Sequence, residues 1–210
     1  MKLLRITTLL GAVCGCLGLL AAVDTARGDA TDPKPEQVDM AALMQQARKY
    51  TTPGEQHKLL ERFIGEWDTL ARIVMPGTSG EGEKGTATFD WLMEGRWIKM
   101  QSSGSMMGMQ TESFSIMGYD NFKMSYVIVT VGTMDTAMLT SEGDLDPGGE
   151  ALITYGTLDE YLTGEHDKMV KYVWRFVSDD EMTLEVHDLP IGETNTKVVE
   201  ITFSRRHPAG

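Results

Sequence analysis

The chain has 210 residues, 19 basic and 31 acidic, for a net charge of −12. That length suits one domain with a sizeable core. So acidic a surface repels nucleic-acid phosphates and anionic headgroups, and it argues against nucleic acid as a partner.

The first 30 residues have the features of a secretory signal. Lys2 and Arg5 give a basic start, and Leu9 to Val23 is apolar apart from small residues. Gly28 and Ala30 offer small side chains before a cleavage site. The apolar run is short for a membrane span, so the expectation is export to the periplasm or beyond, with no membrane insertion after signal removal. An alternative processing reads Val13-Cys14-Gly15-Cys16 as a lipoprotein box, with Cys16 lipidated. Both cysteines fall in this segment, so the mature chain would carry no disulfide, thiol nucleophile or cysteine-based zinc site. Removing Lys2, Arg5, Arg27, Asp24 and Asp29 leaves 16 basic and 29 acidic residues, net −13.

Residues 31–51 read as a polar, Pro-containing linker running into a short helix. In Met40 to Tyr50, Leu43, Met44 and Ala47 recur at helical spacing. A second helix is predicted after Thr52-Pro53-Gly54-Glu55, with Thr52 as N-cap, Pro53 at the first helical position and Glu55 at the third. Leu59, Leu60 and Phe63 mark its apolar face, and Gly65 ends it.

After Gly65 the hydrophobic period becomes two. Strands are predicted near 66–75, 85–93, 96–103, 109–117, 123–131, 136–144, 150–158, 168–178, 181–188 and 196–206. Ala87, Phe89, Trp91 and Met93 alternate with Thr86, Thr88 and Asp90, and Val199, Ile201 and Phe203 alternate with Glu200, Thr202 and Ser204. Met93-Glu94-Gly95, Asp120-Asn121 and Asp146-Pro147-Gly148-Gly149 carry turn chemistry. Many short strands joined by short turns imply an all-β antiparallel meander over 52–210.

Gly65-Glu66-Trp67 opens the first strand, and Arg205 closes the last on the face of Ile201 and Phe203. An Arg on an apolar face needs a partner for both stem and charge, and an aromatic ring supplies one. The pair resembles the calycin superfamily, the lipocalins and fatty-acid-binding-protein-like barrels. In those proteins a Gly-x-Trp on the first strand packs against a basic residue near the C-terminus. The resemblance implies an up-and-down barrel of about ten strands, preceded by one or two short helices and closed by Gly65, Trp67 and Arg205. A further set of segments is similar to a bacterial domain family of unknown function, number fifteen seventy-nine. They are His57-Lys58-Leu59-Leu60, Gly65-Glu66-Trp67, Met106-Met107-Gly108, Gly118-Tyr119-Asp120-Asn121, Met134-Asp135-Thr136-Ala137-Met138 and Ser141-Glu142-Gly143. That resemblance implies a lipocalin-like barrel and no catalytic residue.

No constellation with recognisable chemistry appears. His57, His166, His187 and His207 show no metal-ligand spacing. His57 has a capping or packing role, His166 sits in a turn, and His187 alternates away from Leu184 and Val186, which disfavours haem. The expectation is no metal and no cofactor. There is no Gly-x-Ser-x-Gly elbow and no phosphate loop. Asp144 to Glu150 is a hairpin turn rather than a calcium loop. The absence of a catalytic set favours a binding role over an enzymatic one, although Asp90 and Asp135 are candidate pocket carboxylates. Nine of the 15 methionines crowd the central strands and their loops and suggest an adaptable interior, with core filling as the simpler reading. Trp91, Trp97, Met117, Tyr126, Trp174 and Arg175 are the candidate contacts for a small apolar ligand. Arg175 would receive a ligand carboxylate if buried, or sit on the surface beside a cross-strand acid. A filled barrel serving as an envelope interaction module is the alternative.

Overall fold

The computed structural model describes residues 39–74, 81–160, 163–189 and 196–207. The signal and linker expectations for residues 1–38 lie outside the described residues. Helix α1 (Met40–Thr51) precedes a 3-10 helix (Glu55–Arg62). Ten strands follow: β1 (Gly65–Ile73), β2 (Glu83–Met93), β3 (Trp97–Met106), β4 (Met109–Asp120), β5 (Ser125–Gly132), β6 (Leu139–Leu145), β7 (Ala151–Glu160), β8 (Glu165–Phe176), β9 (Glu181–Asp188) and β10 (Thr196–Arg205). Each strand pairs antiparallel with its neighbours in sequence, and β1 pairs with β10, so the sheet closes on itself. This is the up-and-down barrel of about ten strands that the period and the calycin resemblance imply. Closure removes the unpaired edges that invite aggregation.

The second helix differs from expectation. Thr52 does not cap it, because α1 runs to Thr51 and the 3-10 helix begins at Glu55, with Gly54 at the cap position. Pro53 lacks the N–H to continue α1, which separates the two helices. The cap is supplied in reverse: Nδ1 of His57 accepts the Gly54 N–H at 3.0 Å, while the His57 N–H donates to the Gly54 carbonyl at 3.1 Å. The His57 ring also bonds the backbone of Tyr119 and meets the Tyr119 ring edge-on. Burial holds the imidazole below its usual pKa, with Arg96 adding to the effect. Protonation would place a hydrogen on Nδ1 and break the Gly54 bond. A depressed folded-state pKa means that the unfolded chain binds the proton first. Stability is therefore fully present above about pH 6.5 and is lost as pH falls through the lower folded value. Urea denaturation at pH 7.5 and 5.0 should show a larger acid loss in the wild type than in His57→Gln. Equal losses would separate this ring from the acid sensitivity.

The 3-10 helix plugs the end of the barrel where β1 begins and β10 ends. Leu60 and Phe63 are fully buried. Phe63 meets the rings of Phe89, Trp174 and Phe176 at 5.1–5.5 Å. The Tyr126 hydroxyl donates to the Gln56 carbonyl at 2.7 Å and ties the plug to β5. Burial first, then its neighbours Tyr119 and Asp144, push the Tyr126 phenol up to about 12, so it stays a donor at any ordinary pH. Inner-face residues of this half are in register across the sheet: Ile98 with Met117, Met117 with Ile128, Leu152 with Trp174, and Trp174 with Leu184. They form one continuous apolar core.

The hairpin turns behave as their chemistry requires. Asp146 Oδ1 accepts the N–H groups of Glu150 and Ala151, and the Gly149 N–H donates to the Asp146 carbonyl. Asp120 Oδ1 accepts those of Phe122 and Lys123. Both satisfy backbone donors where the ladder stops, and Asp120, bonding two residues on, is an Asx turn.

Candidate functional site

The other half of the barrel is not filled. Between the plugged core and the opposite end of the barrel lies a cavity of about 380 Å3. Its floor and one wall are apolar: Met100, Tyr172, Trp174, Leu184, Val186, Val199, Ile201 and Phe203 line it from β3, β8, β9 and β10. The opposite wall is a field of hydroxyls on β3 to β6, namely Ser102, Ser113, Ser115, Thr130 and Ser141.

These hydroxyls pair across strands. Ser102 Oγ lies 2.7 Å from Ser113 Oγ, and Ser115 Oγ lies 2.7 Å from Thr130 Oγ1. Ser141 Oγ lies 3.0 Å from Thr154 Oγ1 on β7. The first two pairs sit directly opposite each other in the ladder, whereas Ser141 and Thr154 are diagonal neighbours, opposite Gly156 and Gly143 respectively, so strand register brings all three pairs together. Ser115, Ser141 and Thr154 are buried. Pairing lets them sit inside a barrel without an unmet hydrogen bond.

The mouth carries charge. Glu83, Lys84, Glu112 and Asp135 contribute to the lining there. Glu83 is in register with Ala71, which also lines the cavity. Its carboxylate accepts from Ser105 Oγ at 2.5 Å and from the Gly108 N–H at 3.3 Å. The Ser105 bond, with backbone bonds from Gly108 and Met107, holds Glu83 below the usual carboxylate range. Lys84 and Glu112 are exposed and alternate with the inner-face residues Gly85 and Ser113. Asp135 Oδ1 accepts the Ala137 N–H at 2.9 Å in the β5–β6 loop. Met106 and Met134 complete the rim.

Of the six residues that sequence reasoning put forward as ligand contacts, Trp174 lines the cavity. Met117 is buried in the core of the plugged half, and Tyr126 is spent on the plug. Trp91 packs against that same core. Trp97 lies over Gly118 of β4, where an added Cβ would sit 2.1 Å from its ring, so the glycine makes room for the indole. Arg175 is exposed, as alternation with the buried Trp174 requires, and receives nothing inside the barrel. Asp90 is also exposed, 3.9 Å from Lys99. His187 alternates away from the lining residues Leu184 and Val186, and its Nε2 lies 3.1 Å from a Glu185 carboxylate oxygen. Among the described residues no cluster of three or more His, Cys, Asp or Glu side chains could hold a metal ion.

The hydroxyl wall was missed by sequence reasoning. Its only signal is the run Thr111, Ser113, Ser115 at alternate positions of β4, which reads equally well as a solvated face.

At the closed end the Arg205 guanidinium lies 4.0 Å from the Trp67 ring centroid. Its three nitrogens donate to the carbonyls of Asp179, Ile64 and Arg62. Gly65 adopts φ +134, and a Cβ there would meet Arg205 Nη1 at 2.6 Å.

Fold and site together define a closed antiparallel β-barrel with one end plugged and an internal cavity toward the other. Residues 52–205 match the profile of a family described as "Protein of unknown function (DUF1579)". The chain belongs to that family. No curated protein matches it. Among solved structures, the chain is similar to Rv2717c from M. tuberculosis, at 9% identity and a TM-score of 0.49, covering 73% of this chain and 99% of that one. It is also similar to a redesigned β-barrel, at 12% identity and a TM-score of 0.36, covering 70% and 95% respectively.

Proposed function

We propose that this protein is exported and binds one small amphipathic molecule inside the barrel. The observation that carries the reading is the two-sided cavity, apolar on β8 to β10 and hydroxyl-lined on β3 to β6. At about 380 Å3 it lies within the size range of small-molecule sites. An apolar cavity by itself would be a packing defect that costs stability. Hydroxyls on one wall give it orientation, which is what a binding site needs and a core does not. The filled-barrel alternative fits only the plugged half. The enzymatic alternative finds no support in Asp90, which lies on the outer surface.

Native mass spectrometry of the domain, expressed with its leader and purified without detergent, tests this directly. An excess mass that vanishes on denaturation is expected. Ile201→Trp would place an indole in the apolar wall and should abolish both that mass and the uptake of 1-naphthylamine. If wild type and Ile201→Trp both run at bare polypeptide mass, and neither takes up the dye, the binding reading is wrong.

A further inference from the structure

We infer that the cavity takes an amphiphile whose polar end is not an anion, with hydrogen-bond acceptors along one edge, and that it discriminates against free fatty acids. The inference rests on the binding role proposed above and deepens it.

The first argument is charge. A carboxylate carried into a barrel must find a cation or several strong donors, or else bear a desolvation penalty of several kcal/mol. Among the described lining residues the one cation is Lys84, which is exposed on the outer side of β2. Arg175, the other basic side chain that could have served, is also exposed. The titratable group fixed at the rim is instead the Glu83 carboxylate, tied to Ser105 and Gly108. Asp135 stands in the same mouth. An anionic head lodged there would meet like charge at short range.

The second argument is hydrogen-bond inventory. A pair of hydroxyls uses one O–H as donor, which leaves the second O–H and spare lone pairs. The Ser102–Ser113 and Ser115–Thr130 pairs each leave one donor available on the cavity wall. Across from them, Tyr172 lines the cavity from the apolar side. Its hydroxyl has no hydrogen-bond partner among the described residues, and burial is the single cause that raises its pKa. The cavity therefore offers neutral O–H donors on both walls. Such donors suit carbonyl, ether or alcohol oxygens, and are too few and too weak to stabilise a buried carboxylate.

The third argument is size. A volume of about 380 Å3 holds roughly a dozen non-hydrogen atoms, taking about 30 Å3 for each water-sized group. A ten-carbon chain with one polar end fits.

The test compares decanol and decanoate as competitors of 1-naphthylamine, a fluorescent probe small enough for the cavity, at pH 8 on the full mature chain. Decanol should compete at least tenfold better than decanoate. Glu83→Gln should narrow the decanoate gap. Thr130→Val should weaken decanol by about 2- to 10-fold, the size of one hydrogen bond. Decanoate competing as well as decanol would overturn this inference while leaving the binding role intact. If the dye binds and neither decanol nor decanoate displaces it, the inference is overturned as well. Dye that never binds would remove both readings.

Discussion

Trp67→Ala is expected to cost the domain about 3–5 kcal/mol, a large part of the roughly 5–15 kcal/mol that holds a domain of this size folded. Trp67 is 1% exposed and lies at the junction of plug and barrel. Its Nε1–H donates to the Phe63 carbonyl at 2.8 Å, in a buried bond. Its face carries the Arg205 guanidinium. Removing the ring opens a cavity, orphans the Phe63 carbonyl and leaves Arg205 without a surface to lie on. The companion variant, Arg205→Lys, keeps the charge and loses the fork. The guanidinium binds the carbonyls of Ile64 and Arg62 at 2.5 and 2.9 Å, and an ammonium cannot reach both while remaining over the indole. A loss of about 2 kcal/mol is expected for the lysine. Guanidinium denaturation followed by tryptophan fluorescence measures both. A loss for Arg205→Lys within about 0.5 kcal/mol of zero would show that the guanidinium contributes charge alone.

Phe63→Ala is the second large effect, again about 3–5 kcal/mol. Phe63 lies outside the strands, yet it is fully buried and stands at the centre of the aromatic cluster. Edge-to-face pairs of this kind add about 0.5–1.5 kcal/mol beyond burial. The variant should also change the barrel interior, because Phe63 touches Trp174, which forms part of the cavity wall. A measured drop below 1 kcal/mol, with native-like amide exchange in β2 and β8, would mean that the barrel stands without its plug. The expected result is the opposite: lost protection spreading from the 3-10 helix into both strands.

Much of the fold was legible along the chain. The ten strands fall close to the positions given by the period-two pattern and the turn residues. Both signals are local, set by a pleat that alternates side chains and by Asp and Gly side-chain chemistry at the reversals. The closing pair was legible too, because an Arg on an apolar face announces a specific partner. The second helix was read less well. Its Thr-Pro-Gly-Glu start fits an α-helical N-cap, but packing of Leu60 and Phe63 into the barrel end favours a 3-10 helix, with His57 as the reverse cap.

The candidate site was the least legible part. Aromatic content pointed to Trp91, Trp97 and Tyr126, and these build the plugged half, the outer surface and the tether to the plug. In β4 the alternation even runs against intuition. Ser113 and Ser115 face inward in register with Gly132 and Thr130, while Phe114 and Ile116 lie on the outer face beside Val131 and Val129. A single strand shows two alternating faces and cannot say which is inside. By itself the sequence determined the number of strands, their order and the residues that seal one end, because these follow from local periodicity and from one unusual charge. Only the tertiary structure decided where the cavity lies. A hydroxyl wall exists when serines and threonines from several strands meet in register, and register around a closed barrel is fixed by all ten strands at once.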